Sequence, residues 1–377
     1  MGRAMLRNLN AGKPAGKWAI SFTLLALAGL AASSISLRAR AQQYAPPEAP
    51  ASTIRTTVEL VNVPVNAMNR RGQRVIDLTI DELKVYEDGV EQKITHFERE
   101  TQTPLRIGLI LDTSNSARPK LQYEKEAAQQ LVDLIMANAG PRTQVFLETF
   151  DSSSSIVQDF TYDPDVISSK LEDLKSGGGK ALYDAIVYAC REKMLSAGAP
   201  EEMRRVLVVV SDGLDIGSQH TLDQAISLAR MAEVMIYTVG TAAYGFDNPG
   251  DKMLERLSSQ TGGYPSFPLR NTPGTDMESG YLSHGQIGDT SQNKAEGADT
   301  GAISSERIGN LVGALQVVGR DLSEQYLISY KPTNNALDGS YRTIKVETTR
   351  RGVTLRWKPG YFATADRWKA PGPHPSL

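Results

Sequence analysis

The chain has 377 residues, a formal net charge of −2 and a single cysteine, Cys190. That length accommodates one large domain with a smaller companion. The near-neutral balance has no basic block and argues against nucleic acid as a partner, and one cysteine excludes an internal disulfide.

The N-terminus reads as an export signal. Arg3, Arg7, Lys13 and Lys17 precede an apolar core from Ala19 to Ala32, too short to span a bilayer comfortably. Ala39-Arg40-Ala41 fits a small-x-small cleavage site, giving a signal peptide over 1–41. An uncleaved anchor is the alternative. No later stretch is long and apolar enough to span a membrane, so the mature protein is expected in the periplasm or outside the cell. Residues 42–52, with Pro46, Pro47 and Pro50, read as a linker.

Residues 53–102 read as a β-rich segment. Val61, Val63, Val65 and Ala67 alternate with polar or proline positions, and Pro64 suggests an edge strand. Glu87-Asp88-Gly89 marks a hairpin. This segment is too small to bury a core alone.

From Pro104 strands alternate with helices. The apolar runs Leu105 to Leu111 and Val206 to Val210 read as strands buried on both faces, as in a parallel sheet. Between and after them, helical spacing recurs over Leu121 to Met136, Pro164 to Leu174, Ala181 to Met194, Thr221 to Met231 and Lys252 to Ser259. Cys190 falls on the apolar face of one of these helices and reads as a buried hydrophobe. The alternation implies an α/β fold with a doubly wound, mostly parallel sheet. Residues 271–305 are polar and Gly/Ser-rich and read as a mobile loop. Helical spacing resumes from Ile308 to Leu322. Residues 326–365 read as further strands, and 366–377 as a Pro-rich tail. The two β-rich flanks are expected to complete one accessory unit, because a doubly wound domain often brings its ends together.

The first buried strand ends in Asp112-Thr113-Ser114-Asn115-Ser116, and the second in Ser211-Asp212-Gly213. Such strands deliver their last residues to the sheet edge where open α/β folds bind ligands. Asp112, Ser114 and Ser116 offer one carboxylate and two hydroxyls, hard oxygens suited to Mg²⁺ or Mn²⁺. The alternative is that Asp112 and its serines, like Asp212, cap the turns and helices that follow.

Asp-x-Ser-x-Ser in this setting resembles the metal-ion-dependent adhesion site of von Willebrand factor A domains. Val85-Tyr86-Glu87-Asp88-Gly89, Ala181-Leu182-Tyr183-Asp184-Ala185, Thr261-Gly262-Gly263 and Pro359-Gly360-Tyr361 extend the resemblance. Together they are similar to a bacterial von Willebrand factor A-related family common in acidobacteria, from about Thr53 to Phe362. The resemblance implies an A-type domain over 103–325 and a protein-binding, non-enzymatic site. The metal there would be completed by an acidic side chain of an unidentified protein partner. It also implies an aspartate ligand from the next central strand, a role Asp212 fits, for Mg²⁺, Mn²⁺ or Ca²⁺, and a threonine ligand after Gly177-Gly178-Gly179, where this chain has Lys180. An ammonium there would repel a divalent ion and pair with Asp112 or Asp212, so weak or absent Mg²⁺ binding is expected.

Two other readings stand beside adhesion. One is a metal-independent assembly module of the envelope. The other is a Mg²⁺-dependent hydrolase, although Ser114 occupies the place where a phosphatase of the haloacid dehalogenase type needs a second aspartate. His96, His220, His284 and His374 have no metal-ligand spacing. Asp151 with Ser152 to Ser155, Asp184 and Asp215 read as turn or surface residues.

Overall fold

The computed structural model describes residues 60–99, 103–140, 142–197, 203–242, 248–269 and 299–364. The signal, linker and tail of the sequence reading, and most of 271–305, lie outside them. In chain order the elements begin with β1 (Val61–Asn69), β2 (Leu83–Glu87), β3 (Val90–Gln92), β4 (Ile94–Arg99) and β5 (Leu105–Asp112). Then come α1 (Leu121–Asn138), β6 (Gln144–Phe150), β7 (Ser154–Thr161), α2 (Pro164–Asp173), α3 (Leu182–Tyr188) and β8 (Arg204–Ser211). The remainder is α4 (Leu222–Met231), β9 (Val234–Gly240), α5 (Pro249–Thr261), β10 (Pro265–Ser266), α6 (Asp299–Ser323), β11 (Tyr326–Tyr330), β12 (Tyr341–Thr348), β13 (Val353–Trp357) and β14 (Gly360–Phe362).

Every residue of β5 and β8 is buried, and their middles, Ile107 to Leu111 and Val206 to Val210, read as unbroken apolar runs. They sit side by side at the centre of a six-stranded sheet ordered β10-β9-β8-β5-β6-β7. All neighbours are parallel except β7, which returns antiparallel to β6. Successive side chains of β5 point to opposite faces. Leu109 and Leu111 pack with α1, α2 and α6, whereas Ile110 packs with α3, α4 and α5. The sheet is thus doubly wound, as the alternation of elements implies. The strand order reverses at β5, flanked by β6 on one side and β8 on the other. Ligand-binding crevices form at the carboxyl ends of strands around such a reversal. Asp112 ends β5, and Asp212 follows β8.

The flanks build two four-stranded sheets, β13-β1-β11-β4 and β14-β12-β2-β3. Each mixes strands from before and after the central sheet. Val61, Val63, Val65 and Val85 from the first flank share a core with Ile328, Tyr330, Val346 and Tyr361 from the second. A buried ion pair crosses the same divide. Arg342 Nη1 lies 3.2 Å from Glu87 Oε1, and the hydroxyls of Tyr330 and Tyr361 donate to Glu87 Oε2 at 2.7 and 2.9 Å. Neither flank has enough apolar surface to form this core alone. The hairpin read at Glu87-Asp88-Gly89 is present between β2 and β3, with Asp88 at φ 48° and Gly89 at φ 82°. Two positive-φ central residues are what a tight two-residue hairpin needs.

Four readings need correction. β1 is not an edge strand, because it pairs with both β11 and β13. The pairings are staggered, however, and β13 begins only at Val65, so Pro64 is paired on one side alone. That local gap is how the strand tolerates a proline. Second, residues 299–305 are helical, because α6 starts at Asp299; the polar composition of this stretch hid its helical start. Third, Ser154 and Ser155, read from sequence as part of a turn, begin β7, whose mixed burial shows no clean alternation. Fourth, the helix read over Ala181 to Met194 continues past Tyr188 as a π-helix over Ala189–Met194.

Candidate functional site

The site grows from the two buried strands. Asp112 at the end of β5 is 2% exposed, and its Oδ1 accepts the Ser114 backbone N–H at 2.9 Å. Its Oδ2 accepts the Ser211 hydroxyl at 3.0 Å, which bridges β5 to β8. The same Ser211 oxygen accepts the Gly213 N–H at 3.1 Å and so starts the next turn. Ser114 and Ser116 share a hydrogen bond of 3.0 Å between their hydroxyls. Asp212 is 8% exposed, and its Oδ1 accepts the Leu214 N–H at 3.1 Å. The four oxygen-bearing residues expected from sequence therefore sit around the carboxyl ends of β5 and β8.

Lys180 joins them. Its Nζ donates to Asp212 Oδ1 at 2.7 Å and Oδ2 at 2.6 Å, and lies 3.2 Å from Asp112 Oδ2. The residue is only 4% exposed. Gly177-Gly178-Gly179 brings it there. Gly177 N–H donates to Thr113 O at 2.8 Å, and Asn115 N–H donates to Gly178 O at 3.3 Å. Gly179 N–H donates to the Ser152 hydroxyl at 2.6 Å, and Ala181 N–H donates to Asp151 O at 2.8 Å. The loop after β6, read from sequence as a solvated turn, thus braces the lysine loop from behind.

Two residues read as incidental also hold the site. Asp184 on α3 accepts the N–H groups of Gln219 and His220, both at 2.9 Å, and pairs with His220 Nδ1 at 2.6 Å. Asp215 accepts the Tyr183 N–H at 3.0 Å and the Ser218 N–H at 3.1 Å. Each carboxylate caps the other's element, so α3 and the loop after Asp212 are buckled together. Gly213 sits at φ +78°, where an added Cβ would lie 2.2 Å from Gly250 O. Only glycine lets the first turn of α5 approach the Asp212 loop so closely.

A divalent ion must be tested against these contacts. Mg²⁺ would need oxygens at about 2.0–2.1 Å. The space between the Asp112 and Asp212 carboxylates is held by the lysine ammonium, whose hydrogen bonds already engage both oxygens of Asp212. The Ser114 and Ser116 hydroxyls are turned to each other. The donor set is right for a hard cation, but this arrangement does not fit one.

The family model of the von Willebrand factor type A domain matches residues 107–275. The chain carries a von Willebrand factor type A domain. A search of curated proteins gives no match. Solved structures similar to this A domain include the conserved hypothetical protein BatB from Bacteroides thetaiotaomicron, at 18% identity. That likeness covers 43% of this chain and 89% of that one, with a TM-score of 0.34. The vWF domain of the type V pili tip protein Mfa5 from Porphyromonas gingivalis is 13% identical, covering 50% of this chain and 98% of that one, with a TM-score of 0.37. Proximal thread matrix protein 1 from the mussel byssus, with a zinc-occupied MIDAS motif, is 20% identical at a TM-score of 0.36. There the match spans 50% of this chain and 46% of the mussel protein.

Proposed function

We propose that this chain is an exported protein-binding module that takes its partner on the loops at the carboxyl edge of the A-domain sheet. The observation that carries the reading is the loop after Asp212. It presents Leu214 at 39% exposure and Ile216 at 84% exposure to solvent. Its backbone is held at almost every step: Leu214 by Asp212, Ile216 and Gly217 by Lys180 O, Ser218 by Asp215, and Gln219 and His220 by Asp184. An exposed apolar anchor on a preorganised loop lowers the ordering cost of association. Export rests on the basic region, the apolar core and Ala39-Arg40-Ala41. No helix among the described residues is long and apolar enough to cross a membrane.

An acidic partner side chain is less favoured by these charges than the resemblance implied. Two carboxylates and one ammonium leave one net negative charge at the site. A buried anionic centre repels a carboxylate. The contact proposed is therefore apolar, centred on Ile216 and rimmed by the exposed Ser116 and Asn115. No bond-breaking step is proposed. The Ser218 hydroxyl donates to Asp215 and His220 pairs with Asp184, so these two do not form a nucleophile–base couple.

Ile216→Asp tests the surface. The side chain touches solvent rather than core, so the unfolding free energy is expected to stay within about 1 kcal/mol of the parent's. Capture of the partner from an envelope fraction is expected to be lost. Unchanged capture by a folded variant would move docking to the β-rich flanks.

A further inference from the structure

We infer that the Lys180 ammonium is the resident cation of this site, so that the binding loops are held ready without a divalent ion, and that replacing it by serine opens a latent metal site. The part concerning the loops rests on the docking surface proposed above; the part concerning the cation does not.

Three observations carry it. The first is electrostatic. Asp112 and Asp212 are both buried and project toward one point, and two such carboxylates require a positive charge between them. The ammonium supplies it at 2.6 to 3.2 Å. Among the described residues, no group of three or more His, Cys, Asp or Glu side chains is arranged to hold a metal. The second is mechanical. The same residue that binds Asp212 through Nζ also accepts, at its backbone oxygen, the N–H groups of Ile216 and Gly217 at 3.0 and 2.9 Å. Lys180 thus fixes both the base and the tip of the exposed loop, a task that would otherwise need a bound ion and a separate backbone contact. The third is its confinement. A lysine at the surface swings its head into water at modest cost. Here the side chain is 5% exposed, and leaving would break its contacts to both aspartates at once.

What remains when the ammonium is removed is a set of hard oxygens. Asp112 and Asp212 keep their backbone N–H contacts and so their orientation, and Ser114 and Ser116 lie beside them. Carboxylate and hydroxyl oxygens on a braced frame suit Mg²⁺ or Mn²⁺. A serine at position 180 adds a fifth oxygen-bearing side chain and removes the repelling charge.

Calorimetric titration of MgCl₂ and MnCl₂ into the full chain and into Lys180→Ser decides the matter. The wild type is expected to show no binding at millimolar metal, and the variant to bind at least about 100-fold more tightly. Tight binding by the wild type overturns the inference, as does a folded Lys180→Ser variant with no gain. The wild type also answers alone. Its melting temperature is expected to be the same in chelator and in excess Mg²⁺, and a rise with Mg²⁺ overturns the inference. None of these readouts involves the partner, so a failed docking surface and a failed resident cation are told apart.

Discussion

Lys180→Ala is expected to lower the unfolding free energy by about 3 to 5 kcal/mol, the usual cost of stripping one partner from a buried ion pair. The physical cause is specific. Asp112 and Asp212, at 2% and 8% exposure, would be left facing each other with no cation between them. Their remaining donors, the N–H groups of Ser114 and Leu214 and the Ser211 hydroxyl, orient the carboxylates without neutralising them. A double-mutant cycle separates charge from packing. In an Asp212→Asn background the same Lys180→Ala change is expected to cost much less, because one of the two negative charges is already gone. Urea unfolding of the four proteins measures both numbers. Equal costs in the two backgrounds would mean that Lys180 acts through its aliphatic stem.

Stability is also expected to fall as pH rises from about 5 to about 8. Glu148 on β6 is fully buried, and burial pushes its carboxyl up to about 8 from an ordinary 4.5, against the pull of the Ser154 hydroxyl and Lys193. Glu124 on α1 behaves alike; burial raises it to about 7 against the pull of Lys120. The sign follows from proton linkage. Below the unfolded value both states hold the proton and the groups cost nothing. Between the unfolded and folded values only the native state holds it, so each pH unit costs about 1.4 kcal/mol per group. Above the folded value the penalty is complete, up to about 5 kcal/mol for Glu148. Glu148→Gln keeps a polar head beside Ser154 and removes the ionisation. It is expected to flatten most of the slope between pH 6 and 8.5, leaving the smaller Glu124 component. A variant with the parent's full slope would place the titrating group elsewhere.

Much of this architecture was legible in the residues. β5 and β8 are apolar from Ile107 to Leu111 and from Val206 to Val210 because they are buried on both faces, and that pattern placed Asp112 and Asp212 at one edge of one sheet. The Asp88-Gly89 hairpin was equally direct. Lys180 was different. Nothing in its neighbours marks it as buried, and it drew attention only because the resemblance implied a threonine there. The braces were illegible for a further reason. Asp184 with His220, Asp215 with Tyr183, and Ser152 with Gly179 are side chain contacts across 27 to 36 residues of chain. Such contacts leave no periodic trace. Each of these residues also has an ordinary explanation as a turn or helix-cap residue, and locally each is one. β7 and the start of α6 escaped because polar composition masked regular backbone.

The most direct test of a lysine in the cation's place is a crystal structure of the wild-type chain grown in excess MgCl₂. Electron density continuous with the Lys180 side chain is expected between Asp112 and Asp212, with Nζ about 2.6 to 3.2 Å from their oxygens as here. An isolated peak with six oxygens at about 2.1 Å, with the Lys180 side chain turned out to solvent, would contradict it.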